Sequence, residues 1–168
     1  LKRTSARQKG KDFEARVGIL LGMWWSGYPY PRAHGSGSST TQRAIAHDGR
    51  ELFYAGDLYI PPEFPWCVEC KNQQGWSLDS IINQTCKIVF VDWWNQCVRD
   101  ASRVDKDPLL VFKKNRLTPL FVTRRASVEK YLSFEYLLPV RVIMNYEDEV
   151  LFLGRLSDLV ELPVVRDG

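Results

Sequence analysis

Histidine is scarce in this chain: His34 and His47 are the only two among 168 residues. Both sit in polar, loop-like surroundings without an evident partner. Surface histidines are the plainer reading, and a site built on imidazole is not expected. Long apolar runs are missing too. Val17 to Trp25 falls well short of the ~18 residues a membrane-spanning helix needs, and no small-residue cleavage site follows it. No membrane partner is expected, and the chain reads as cytoplasmic. Cysteine is limited to Cys67, Cys70, Cys86 and Cys97. Cys67-x-x-Cys70 has no second close pair, and a strand through it would turn the two thiols to opposite faces. Buried free thiols fit better than a zinc knuckle. Charge of one sign is also in short supply, since the net is only +3. Bulk charge therefore selects no nucleic-acid partner, and attention moves to how the charges are distributed.

What is present is uneven. Lys2, Arg3, Arg7, Lys9 and Lys11 crowd the start, while Glu147, Asp148 and Glu149 gather late. A basic arm over 1–8 suits contacts to DNA phosphates, with a solvated tail as the plain alternative. The length and the 45% hydrophobic content fit one domain over 1–168 with a sizeable core.

Phe13, Val17, Leu20, Leu21 and Trp24 recur at helical spacing and predict a helix over 9–26, stopped by Gly27 and Pro29. An extended segment from Tyr28 then runs into Gly35-Ser36-Gly37-Ser38, whose amides and hydroxyls can cradle a phosphate. A loop without contacts is the alternative. Residues 39–51, with Arg43, are polar and read as a loop that orders on DNA, until Leu52-Phe53-Tyr54 starts a strand. Ser77 reads as the N-cap of one long helix over 78–103, so apolar around its girth that burial on more than one side is expected. Adjacent Trp93 and Trp94 point in different directions on such a helix. One of them is expected beyond the core, at a dimer surface or stacked on bases. A thick core is the alternative. Pro108 reads as a break. Strands follow over 109–112 and 117–122, joined by Lys113-Lys114-Asn115-Arg116 and followed by Arg124 and Arg125, two basic turns able to grip a backbone. A helix over 126–138, a hairpin of 140–144 with 150–152, and a final turn over 156–162 complete the C-terminal additions (126–168).

The densest chemistry lies in Gly56-Asp57-Leu58-Tyr59-Ile60 and Trp66-Cys67-Val68-Glu69-Cys70-Lys71. Side chains alternate along a strand, so Glu69 and Lys71 share one face. If a strand carrying Asp57 lies beside them, two carboxylates and an ammonium converge. Carboxylates are hard ligands of the kind Mg²⁺ prefers, and a neighbouring lysine can act on a bound water. A surface hairpin with ordinary charges is the plain alternative.

At these residues the chain resembles the PD-(D/E)XK nuclease superfamily, in which an Asp opens one strand and Glu-x-Lys lies on its hairpin partner. Lys9-Gly10-Lys11-Asp12-Phe13-Glu14 and Arg32-x-x-Gly35-Ser36-Gly37 make it most like archaeal-type Holliday junction resolvases, or a phage-encoded relative. The resemblance implies an α/β fold with a restriction-endonuclease-like core, a central mixed sheet flanked by helices. It implies an endonuclease cutting branched DNA with Mg²⁺, Mn²⁺ substituting. Asp57, Glu69 and the Cys70 carbonyl would hold the metal, Glu14 would complete the site, and Lys71 would act on water. Ser36 or Ser38 would assist, and Gln73 would position substrate on the Glu69 face. Lys2, Arg3, Arg7, Lys9, Lys11, Arg32 and Arg43 are the expected DNA contacts. The resolvases of this type are homodimers; no nucleotide cofactor is expected. A nuclease with other substrates is the nearest alternative, and a non-catalytic DNA-binding module is the alternative of another class.

Overall fold

The structure, a computed structural model, describes residues 5–33, 43–45, 49–82, 87–133 and 140–165. Helix α1 (Ala6–Trp25) starts earlier than its apolar spacing predicts, because Ser5 caps it by accepting from the Gln8 N–H at 3.2 Å. Arg7 thus lies in the first helical turn rather than on an arm. The buried side chains of α1 are Phe13, Val17, Leu21 and Trp25, and Leu20 faces solvent. Gly18 and Gly22 lie on the same buried face. There the extended chain crosses α1 at backbone contact: the Tyr30 N–H donates to the Gly18 carbonyl at 3.0 Å.

Strands β1 (Arg43–Ile45), β2 (Glu51–Ala55) and β3 (Leu58–Ile60) form a small antiparallel sheet in chain order. Strand β1 falls within the stretch expected to be loop, since Ala44-Ile45 pairs with Leu52 and Glu51. A second sheet holds five strands in the order β4 (Trp66–Asn72), β5 (Asp107–Lys113), β6 (Leu120–Arg124), β8 (Glu149–Arg155), β7 (Val140–Tyr146). Only β4 and β5 run parallel, which requires a long crossover. That crossover carries α2 (Leu78–Ile82) and α3 (Lys87–Arg103), where one helix over 78–103 is expected; residues 83–86 lie outside the described set. Pro108 does not break the chain. It lies inside β5 opposite Cys67, near the strand's start, where a missing N–H is tolerated. Helix α4 (Arg125–Tyr131) stops where Leu132 turns extended and bridges to Val164, inside the helix expected over 126–138; residues 134–138 of that expectation lie outside the described set. The last helix is α5 (Leu156–Leu159). No helix among the described residues is long and apolar enough to cross a membrane.

The large sheet is covered on both faces, which explains why β5 reads as an unbroken apolar run. On one face α1, α4 and α5 share a buried cluster with Val68, Val111, Phe121 and Phe152. On the other, Phe90, Trp93, Trp94 and Cys97 of α3 pack against Leu110, Phe112, Val122 and Leu153. Trp93 and Trp94 are 6% and 1% exposed, within one cluster. The expectation that one reaches past the core is therefore not met: residues 100° apart both fit beneath a wide apolar stripe. Cys67, Cys70 and Cys97 are buried free thiols.

A side chain at Gly18 would place its Cβ 2.2 Å from the Tyr30 carbonyl oxygen. Alanine usually favours a helix interior over glycine by about 1 kcal/mol. Here Gly18→Ala should reverse that sign and destabilise the protein by about 2 kcal/mol, as overpacking does. Urea unfolding measures it, and a variant as stable as the parent would contradict the contact.

Candidate active site

Strand β4 is an edge strand of the large sheet, with β5 on one side only. Its other edge is met by Gly56 and Asp57. Gly56 forms a parallel bridge to Val68, and the Asp57 N–H donates to the Val68 carbonyl at 2.8 Å. The approach is close enough that a Cβ on Gly56 would lie 2.2 Å from that same oxygen, and Gly56 has φ +72°. Only glycine satisfies both demands. Asp57 then turns its side chain along the strand edge, where Oδ2 accepts the Cys70 N–H at 2.7 Å. Its own carbonyl accepts from Ala33 at 2.8 Å. The expected Asp-bearing strand paired with Glu-x-Lys is thus corrected. β3 pairs with β2, and Asp57 occupies the turn between those two strands, touching β4 by single hydrogen bonds.

On β4, Glu69 and Lys71 lie in register with Leu110 and Phe112, on the face covered by α3. Glu69 is 4% exposed, and its Oε1 lies 2.6 Å from Lys71 Nζ. Gln96 of α3 ties the two together: Nε2 donates to Glu69 Oε1 at 2.8 Å, and Oε1 accepts from Lys71 Nζ at 2.9 Å. A buried edge strand thus presents one carboxylate from its own face, a second from a clamped turn, and an ammonium between strand and helix.

The family model described as "Phage putative PDDEXK endonuclease" matches residues 5–151. The chain belongs to this family. The family is one of PD-(D/E)XK endonucleases, a class that generally uses divalent metals. Protein D14 of Escherichia phage T5 is 29% identical over 115 residues. That match spans 66% of this chain and 66% of D14, just under two thirds of its length. A solved Holliday junction resolvase, Hjc of Archaeoglobus fulgidus, is similar at 15% identity and a TM-score of 0.36, covering 92% of this chain and 95% of that one. With this family the large sheet between α1 and α3 is the central mixed sheet of a restriction-endonuclease-like core.

The other residues expected at the endonuclease site are placed unevenly. Glu14, on α1, is ion-paired with Arg32 at 3.2 Å. Arg32 thus shares its guanidinium with Glu14 at a partly exposed position. Gln73 lies just past the end of β4, exposed; its carbonyl accepts from Trp76 Nε1 at 3.0 Å, so its backbone is what packs. The Glu69 face does not extend to it, because the strand stops at Asn72. Arg7 and Lys9 are exposed on α1, and Lys11 is half-buried there. Arg43 lies on β1. Lys2, Arg3, His34, Ser36, Ser38 and His47 lie outside the described residues. Gln96 was not anticipated. Its signal is a polar residue three after Trp93 and one before Cys97 on a helix face otherwise apolar, but helical period alone does not reveal what it faces.

Among the described residues no three His, Cys, Asp or Glu side chains form a closed cation cage. Asp57 and Glu69 instead make an open pair. An open pair with a backbone carbonyl nearby suits a hard divalent ion that keeps several waters. Their electrostatics fit as well. Burial first, then the neighbouring Glu69, push the Asp57 carboxyl up to about 7. Burial raises Glu69 too, against the pull of Lys71. Two carboxylates desolvated together favour protonation unless positive charge joins them.

A raised folded-state pKa means that stability is lost as pH rises. Below the usual aspartate value both states are protonated. Between there and about 7 the folded protein holds the Asp57 proton while an unfolded chain releases it. Each unit is worth about 1.4 kcal/mol. Asp57→Asn keeps an acceptor for Cys70 and cannot ionise. Its stability advantage over the parent, from melts in a chelator, should therefore grow from pH 4 to pH 7 to a few kcal/mol. A difference constant with pH would contradict the assignment.

Proposed function

We propose that this endonuclease resolves four-way DNA junctions, by hydrolysing phosphodiesters with Mg²⁺ or, in its place, Mn²⁺. The observation that carries the metal-site reading is the meeting of Asp57, Glu69 and Lys71 along β4: Asp57 Oδ2 lies 2.7 Å from Cys70 N, and Glu69 Oε1 lies 2.6 Å from Lys71 Nζ. Support for the junction comes from the basic-Gly start at Lys9-Gly10-Lys11 and from the Arg32-x-x-Gly35-Ser36-Gly37 segment, both similar to the resolvases. Asp57, Glu69 and the Cys70 carbonyl would hold the ion, with Glu14 as an outer partner. A bound divalent ion supplies positive charge against the developing phosphorane. The chain's own part is orientation: Lys71 Nζ, held by Gln96, directs the attacking water. Ser36 or Ser38 assists at the phosphate, and Lys2, Arg3, Arg7 and Lys9 add sequence-independent grip. Two symmetric cuts call for two copies of a single-domain chain related by a twofold axis.

Matched junction, flap and linear duplex DNA, each with Mg²⁺, test the reading. The junction should be cut in symmetric pairs and the linear duplex spared. Asp57→Asn and Glu69→Gln should each lower cutting by about a thousandfold or more while DNA binding persists. Equal cutting of all three substrates would contradict junction selectivity. Cutting by either variant at the parental rate would contradict the metal site.

A further inference from the structure

The arginines and lysines at the two ends of the five-stranded sheet are partnered differently. At the end where β5 begins three arginines are neutralised: Arg124 pairs with Glu149 at 2.6 Å, Arg125 with Glu129 at 2.6 Å, and Arg103 with Asp100 at 2.9 Å, while Lys106 there donates to the Pro62 carbonyl. The other end is where β4 finishes beyond Lys71. There Asn72 stands opposite Lys113 and donates from Nδ2 to the Lys9 carbonyl at 3.2 Å. Lys113 Nζ lies 5.4 Å from the Phe13 ring of α1, and Lys114 Nζ donates to the Trp76 carbonyl at 3.0 Å. Among the described residues, none of Lys9, Lys113, Lys114 and Arg116 is ion-paired with a carboxylate.

Arg116 adds a second, independent observation. It is the third residue of the turn Lys114–Leu117, closed by the Leu117 N–H donating to the Lys114 carbonyl at 3.1 Å. Its φ is +65°, while Asn115 before it has no positive φ. That is the position of a type II turn where glycine is favoured, because a Cβ crowds the backbone there. The turn itself would be better served by glycine. An exposed arginine held in a disfavoured conformation points to a use for its guanidinium.

We infer that the β5–β6 turn is a grip on the DNA backbone. Lys113, Lys114 and Arg116, continued by Lys9 across Asn72, form a phosphate track beside Lys71. The partner is double-stranded DNA, recognised by charge and not by base. The inference rests on the endonuclease reading for its partner but not on junction selectivity or on cutting.

Arg116→Gly tests it, with Arg125→Ala as a control at the far end of the sheet. Fluorescence anisotropy without divalent ions gives Kd for a linear duplex and for a four-way junction across a range of NaCl. Arg116→Gly should weaken both by roughly three- to tenfold and lower the salt slope by about 0.9. Its melting temperature should not fall, since glycine adopts φ +65° freely. Arg125→Ala should bind as the parent does. Parental Kd and slope for Arg116→Gly would overturn the inference. So would weaker binding accompanied by a lower melting temperature, which marks a structural role, or weakening confined to the junction. Because binding is read on both DNA forms without cutting, a failure of junction selectivity leaves this test intact.

Discussion

Two carboxylates held away from water at one edge of β4 set the terms for the rest of this structure. Burial pushes both carboxyls up, and the Glu69 charge pushes Asp57 up further. Such a pair works against folding at neutral pH. It persists because each member is held by groups that cannot easily move. Asp57 is pinned to the β4 backbone through Val68 and Cys70. Glu69 is pinned by Lys71 and Gln96. A site that is unfavourable when empty is a site that positive charge relieves.

The scaffold around it follows from this demand. The edge of β4 must stay open to admit Asp57, so the strand order ends there, and the parallel β4–β5 pair brings the crossover helix α3 over the Glu69 face. Trp93, Trp94 and Cys97 anchor that helix in the apolar layer, which fixes Gln96 above the Glu69–Lys71 pair. On the opposite face α1 brings Glu14 and its Arg32 partner within electrostatic reach of Asp57. Both helical layers are therefore needed for one pair of acids.

Much of this was legible in the sequence. The Glu-x-Lys alternation placed Glu69 and Lys71 on one face, whereas the close approach of Gly56 to β4 emerges only from the fold. The family follows from the same motifs. What failed was whatever depends on which element lies next to which. The Asp57 turn was expected on the hairpin partner of β4, because chain order suggests it, yet β3 pairs backwards with β2. Trp93 and Trp94 were expected to split between core and surface, because helical geometry gives directions but not the breadth of the sheet beneath. Lys113 to Arg116 and Arg124–Arg125 looked alike as basic turns. Only the topology puts them at opposite ends, with Glu129 and Glu149 beside the second group.

The account stands on Asp57 keeping its proton far above the ordinary aspartate range in the metal-free protein. The ¹³C shift of its side-chain carboxyl, assigned by its loss in Asp57→Asn and followed against pH in a chelator, reads that state directly. The midpoint should lie at about 7, raised by burial and by Glu69, and should move down in Glu69→Gln. A midpoint near that of a solvent-exposed aspartate, about 4, would contradict the account.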